Sequence, residues 1–150
     1  MSLRGTMTVV AALAGCGEEP VNSEPVDSGL TDDEGLAIAG SYVDQYGTEH
    51  DITESSWTQT FGGYPPSVFD IAVHDNVQEW LVAHNDDANP FNPGAWSRFD
   101  WVGGGDGHLY YCQTTFDAPD QDSAEQTARP ADTDPATSGC GGFPWTDLQP

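Results

Sequence analysis

The run Trp96-Ser97-Arg98-Phe99-Asp100-Trp101-Val102 is followed by Gly103-Gly104-Gly105-Asp106-Gly107 and then by His108-Leu109-Tyr110-Tyr111-Cys112-Gln113-Thr114-Thr115-Phe116. Two aromatic and β-branched runs on either side of a glycine-rich turn read as a β-hairpin, with a loop longer than the two-residue optimum. The glycines lie between strands and precede no helix, so they make a turn and not a phosphate cradle. Upstream, further strands are expected over residues 41–46, 51–61, 67–74 and 79–85, and a last one over 142–148 downstream. Residues 67–74 alternate, placing Phe69, Ile71 and Val73 on one face and Asp70, Ala72 and His74 on the other. Gly62-Gly63-Tyr64-Pro65-Pro66 reads as a break, and 86–94 reads as a loop on its Asp, Asn and Pro content. One short helix is expected where Ser123-x-x-Gln126 has the form of a capping box, with Asp120 and Asp122 near its positive end, Arg129 near its negative end and Pro130 as the stop. Strands at this spacing suggest a mainly β fold: a small antiparallel barrel, or else a sandwich, of about six or seven strands with one short helix.

The charge balance excludes several functions. The chain has 150 residues, 25 Asp plus Glu and 3 Lys plus Arg, for a net charge of −22. The bases are Arg4, Arg98 and Arg129. Nucleic acid is not an expected partner, because nothing here can neutralise a run of phosphates. Electrostatic docking on anionic lipid is disfavoured for the same reason. Sixteen residues are Phe, Trp or Tyr, which separates this chain from an acidic disordered one.

The N-terminus reads as an export segment over residues 1–15. Arg4 gives a short positive region, Met7-Thr8-Val9-Val10-Ala11-Ala12-Leu13 is apolar, and small residues follow. Leu13-Ala14-Gly15-Cys16 resembles the lipobox of bacterial lipoproteins. The resemblance implies cleavage before Cys16 and a diacylglyceryl thioether on its sulfur, so the membrane is reached through a lipid anchor. Each buried CH₂ contributes about 0.8 kcal/mol, and two or three acyl chains hold firmly where one holds marginally. Gly17, not Asp, follows the cysteine. By resemblance to the sorting rule of some bacteria with two membranes, this favours the outer membrane, on its periplasmic or its surface face.

Residues 16–36 form the lipidated start and an acidic linker. From Gly17 to Leu36 there are seven acids, two prolines, no bases and no aromatics. Such a segment cannot bury enough apolar surface to offset its ordering entropy. Twenty flexible residues span roughly 25 Å, and self-repulsion stretches them further. The expected domain occupies residues 37–150. With Cys16 assigned to lipid, Cys112 and Cys140 are left as a pair, and export provides an oxidising compartment. A bridge closing that loop is worth about 3.6 kcal/mol in the chain-entropy model.

The segments Asn89-Pro90-Phe91-Asn92-Pro93-Gly94-x-Trp96, Leu109-Tyr110-Tyr111-Cys112 and Gly139-Cys140-Gly141-Gly142-Phe143-x-Trp145 together look like an uncharacterised domain that recurs in bacterial lipoproteins. The similarity runs over about 38–148. It implies no activity.

Catalytic and metal chemistry is thin. His50, His74, His84 and His108 lack metal-ligand spacing, and no cofactor or metal site is expected. His74 and His84, placed on polar faces of adjacent strands, are the best general-base candidates, with a carboxylate as partner. Asp86-Asp87-Ala88-Asn89 offers oxygens of the kind Ca²⁺ takes but lacks EF-hand spacing. Arg98, flanked by Trp96 and followed by Trp101, is the candidate ligand-binding group; its plainer role is an ion pair with Asp100 or Asp117. The sequence thus points to a lipid-anchored envelope lipoprotein, not an enzyme, whose β-domain binds an envelope protein or glycan or serves as structure. The alternative is an envelope hydrolase using a His/carboxylate site.

Overall fold

A computed structural model describes residues 35–150; the export segment, Cys16 and the acidic tether through Glu34 lie outside the described residues. The strands are β1 (Gly40–Asp44), β2 (Glu49–Ile52), β3 (Ser56–Thr60), β4 (Ser67–Asp75), β5 (Trp80–Asn85), β6 (Trp96–Gly103), β7 (Leu109–Ala118) and β8 (Thr146–Gln149), with helix α1 (Gln121–Glu125) between the last two. Each strand pairs antiparallel with the next, and β8 pairs with both β7 and β1. The meander therefore closes into an eight-stranded barrel with no free edge.

Eight strands form where six or seven were expected because 51–61 is two strands. Thr53 makes the corner: its Oγ1 accepts the backbone N–H groups of Ser55 and Ser56 at 3.3 and 3.0 Å. A hydroxyl-built turn carries no Gly or Pro to announce it. The alternation read across 67–74 also breaks. A bulge between Ile71 and Val73 leaves Ala72 unopposed, so Val73 faces outward against Trp80 and Trp96 while His74 pairs with the inward Leu81. His74 and His84 consequently lie on opposite faces of the sheet.

The barrel is filled. Trp57, Phe69, Leu81, Ala83, Phe99, Trp101, Tyr111 and Leu148 pack inside it. Trp57 stacks on Phe99 with centroids 4.5 Å apart, and Phe69 meets Phe99 edge-on at 5.0 Å. One end is floored by the entering chain. Leu36 and Ile38 are each 3% exposed, and 35–37 bonds to the turns there: Leu36 N–H donates to Glu54, Ala37 N–H to Asn76, and Asn76 Nδ2 to the Gly35 carbonyl. Leu36, read from sequence as the last residue of the tether, belongs to the core.

The connection from β7 to β8 folds back over the outside of β5–β7 as a second layer. Ala124 packs on Val82 and Ala118, and Trp145 packs on Tyr110 and Cys112. The helix starts earlier than expected: Asp120 is its cap, Oδ1 accepting the Ser123 N–H at 2.8 Å, and Gln126 ends it. Arg129 lies beyond the last helical turn and reaches the barrel instead. Cys112 and Cys140 are disulfide-bonded, with Cα atoms 5.6 Å apart. Gly139 beside them has φ +117°, and a side chain there would run into the Ala131 carbonyl and the Trp145 indole.

Candidate functional site

Arg98 and Asp100 stand on the outer face of β6, sealed between the barrel and the second layer at 5% and 0% exposure. Arg98 Nε and Nη2 donate to the two Asp100 oxygens at 3.0 and 2.9 Å, and Nη1 donates to the Glu125 carbonyl at 2.6 Å. Its guanidinium lies 4.9 Å from the Trp80 ring centroid. The Thr114 hydroxyl donates to the same carboxylate, and Arg129 Nη1 stands 3.6 Å from it. Arg129 also donates to the Gln78, Glu79 and Trp101 carbonyls. A planar five-donor fork suits this packing of carboxylate and carbonyls, which an ammonium would not satisfy. Arg98 and Trp101, candidate ligand-binding residues from the sequence, are both buried: the guanidinium is committed to Asp100, and Trp101 is 3% exposed inside the barrel. Trp96 is half-buried against the outer layer, with His84 edge-on at 5.1 Å.

Among the histidines, His50 is the most deeply placed, with its side chain fully covered. The Trp57 indole N–H donates to Nδ1 at 3.1 Å, so the ring proton sits on Nε2, 3.3 Å from Asp44 Oδ2. Burial holds this ring below the usual imidazole range, and Asp44 opposes that shift only in part. The pair has the outline of an acid–base dyad, but the indole occupies the position where a substrate proton would be taken up. His108 is exposed and bonds Asp147 at 2.9 Å, which holds it above the usual range. Neither His74 nor His84 bonds to a carboxylate among the described residues.

The barrel end opposite the Leu36 floor is built differently. The loops 61–66 and 86–95 stand there, and between them opens a cavity of about 430 Å³ lined by Thr48, Gln59, Phe61, Tyr64, Pro65, Ser67, Pro90 and Phe91. That volume lies within the usual range for small-molecule sites, roughly 300–1,000 Å³. Phe61, Tyr64 and Phe91 are 47%, 62% and 69% exposed, an unusual display for three large apolar rings around one opening. Phe61 and Tyr64 stack at 5.9 Å with planes 29° apart.

Hydrogen bonds pin the 86–95 loop that carries Phe91. Asn89 is buried and copies a strand partner: its Oδ1 accepts the Val68 N–H and its Nδ2 donates to the Val68 carbonyl, both at 2.7 Å. Asn92, beside Phe91, adopts φ +47°, and its carbonyl accepts from Asn85 Nδ2 at 2.9 Å. Asn85 Oδ1 in turn accepts from the Ser97 hydroxyl at 2.7 Å. Of the Asp86–Asn89 oxygens considered for Ca²⁺, Asp86 Oδ1 accepts the Ala88 N–H and Asn89 Oδ1 is taken by the Val68 N–H.

Two features set the cavity apart. No charged side chain lines it, whereas the other two cavities described here include Glu49 and Asp51, or Asp106, in their walls. Gln59 Nε2 is buried in its wall with no partner among the described residues. Sequence reading missed Phe61, Tyr64 and Phe91, placing the first at the end of a strand and the other two in a break and a loop. The available signal was aromatic residues set among Gly and Pro, where a purely structural turn has no need of them. Comparison with protein-family models, with curated proteins and with solved structures finds no match to this chain.

Proposed function

We propose that this chain is a lipid-anchored lipoprotein of the cell envelope whose barrel is a binding module, its ligand an envelope glycan or protein held at the Phe61–Tyr64–Phe91 opening. The observation that carries the reading is three exposed aromatic rings around an uncharged cavity in an otherwise acidic molecule. A filled barrel with one furnished end is the form of a recognition module. The Leu13-Ala14-Gly15-Cys16 segment supports the anchor, and so does the bonding of the other two cysteines to each other, which leaves Cys16 for lipid. A structural disulfide fits an oxidising compartment. Residue 35 enters the barrel at the end opposite the opening.

The test of the anchor is metabolic labelling with a radioactive fatty acid, followed by membrane fractionation. The native chain should take label and sediment with membranes, outer membrane where there are two. Cys16→Ser should take none and appear as a longer, unprocessed form. Equal label and sedimentation for both would end the lipoprotein reading.

A further inference from the structure

We infer that the Phe61–Tyr64–Phe91 cavity takes an uncharged saccharide, a sugar ring lying against the aromatic faces and one hydroxyl meeting the Gln59 carboxamide. This rests on the binding-module reading above and narrows it to one ligand class. The polar part of the lining is Thr48, Gln59, Ser67 and the Tyr64 hydroxyl. Hydroxyl and primary amide groups both donate and accept, as sugar hydroxyls do, so each can be matched in either sense. The rings supply the other half of the match. The electron-rich face of an aromatic attracts the polarised C–H edge of a partner, and the stacked Phe61–Tyr64 pair offers two such faces.

Gln59 is the sharper sign. An amide with a solvent-sealed nitrogen and no partner destabilises the fold, and replacing it by an apolar side chain of its own length would remove that cost. The sealed nitrogen leaves the carboxamide oxygen as the atom open to the cavity, where a ligand hydroxyl can donate to it. Rotation of the amide by half a turn would present the nitrogen instead, so a hydroxyl can be met in either sense.

Charge narrows the class. With 18 acids against two arginines in residues 35–150, both arginines engaged elsewhere, an anionic sugar or phosphate is repelled and finds no counter-ion. A basic peptide would be drawn to the surface in general, but the lining gives it no carboxylate. A proline-rich peptide also docks on aromatic grooves. Its tertiary amides only accept hydrogen bonds, which would leave the accepting capacity of Thr48 and Ser67 unused. The Asn89 clamp and the Asn92 turn hold the Phe91 side of the rim in place before binding, which lowers the ordering cost there.

The experiment titrates the full chain with uncharged tetrasaccharides of glucose, mannose and N-acetylglucosamine, with an anionic oligogalacturonate, and with a proline-rich decapeptide. Calorimetry and amide chemical shifts report binding. At least one uncharged tetrasaccharide should bind and shift the amides around residues 59–67 and 90–92, while the oligogalacturonate should not. Phe61→Ala and Tyr64→Ala should each weaken binding about tenfold, the scale of one lost aromatic contact. Their melting temperatures should be unchanged, since both rings are exposed. Gln59→Met should weaken saccharide binding and raise the melting temperature, a combination that a purely structural residue would not give. Binding of the decapeptide alone at these residues would overturn the saccharide and leave the binding module standing. Saccharide binding that survives all three substitutions would overturn the site. No shift with any probe would overturn both the saccharide and the module.

Discussion

His50 is a titratable ring whose two nitrogens are both engaged in a covered site, one receiving the Trp57 indole proton and the other facing Asp44. Protonation would add a hydrogen to Nδ1, which already accepts one, and would place a cation where burial disfavours it. The pKa is therefore lower in the folded chain than in the unfolded one, and the unfolded chain binds the proton first as pH falls. Stability should accordingly decline as pH drops through about 6.5 and onward, by the linkage between proton binding and unfolding. His108 works the other way: Asp147 raises its pKa, so its contribution is present below about 6.5 and is lost as pH rises past the folded value. Melting curves from about pH 7.5 to 5 should show a steeper acid-side loss for the native chain than for His50→Gln. Equal slopes would mean that the Asp44 contact offsets burial completely. Little of this was legible beforehand, because His50 has no spacing motif and its neighbours come from β1, β3 and β7. The Arg98–Asp100 pair was legible, since an i,i+2 spacing puts both side chains on one face of a strand.

At the scale of elements, the hairpin of β6 and β7 was plain because its glycine turn is long and its strands are rich in aromatics. The Thr53 corner and the bulge at Ala72 were not, because one replaces glycine with a hydroxyl and the other is set by the register with β5. The mouth was hidden for a third reason: exposure of Phe61 or Phe91 depends on which strand ends the closed barrel gathers together. The second layer depends on the Cys112–Cys140 bridge, because α1 is five residues long and buries only Ala124 fully. Breaking the bridge in a Cys112→Ala/Cys140→Ala double variant should cost about 3.6 kcal/mol in the chain-entropy model. Trp145 fluorescence should move to the red as the layer loosens from Tyr110. A denaturation midpoint unchanged from the oxidised native chain would show that the Arg98 and Arg129 contacts suffice to hold the layer.

For the molecule as a whole, charge is the dominant surface property. Both arginines of the described residues are tied to Asp100, Glu79 and Asp132, so apart from Asp44 beside His50 and Asp147 beside His108 the remaining carboxylates have no basic side chain paired with them. Repulsion of this kind acts over a Debye length, about 10 Å at 0.1 M salt and about 3 Å at 1 M. The melting temperature should rise steadily as sodium chloride increases over that range, with the gain flattening once screening is complete. A fall would show that the ion pairs around Arg129, which salt weakens, outweigh the repulsion.

The floor made by Leu36 and Ile38 has a mechanical consequence. Any pull on the chain at residue 35 travels straight into these two side chains and the Glu54 and Asn76 contacts beside them, before it reaches β1. Under load the barrel is uncorked from beneath. The asparagine-braced rim on the far side lies outside that line of force and should be the last part of the barrel to open.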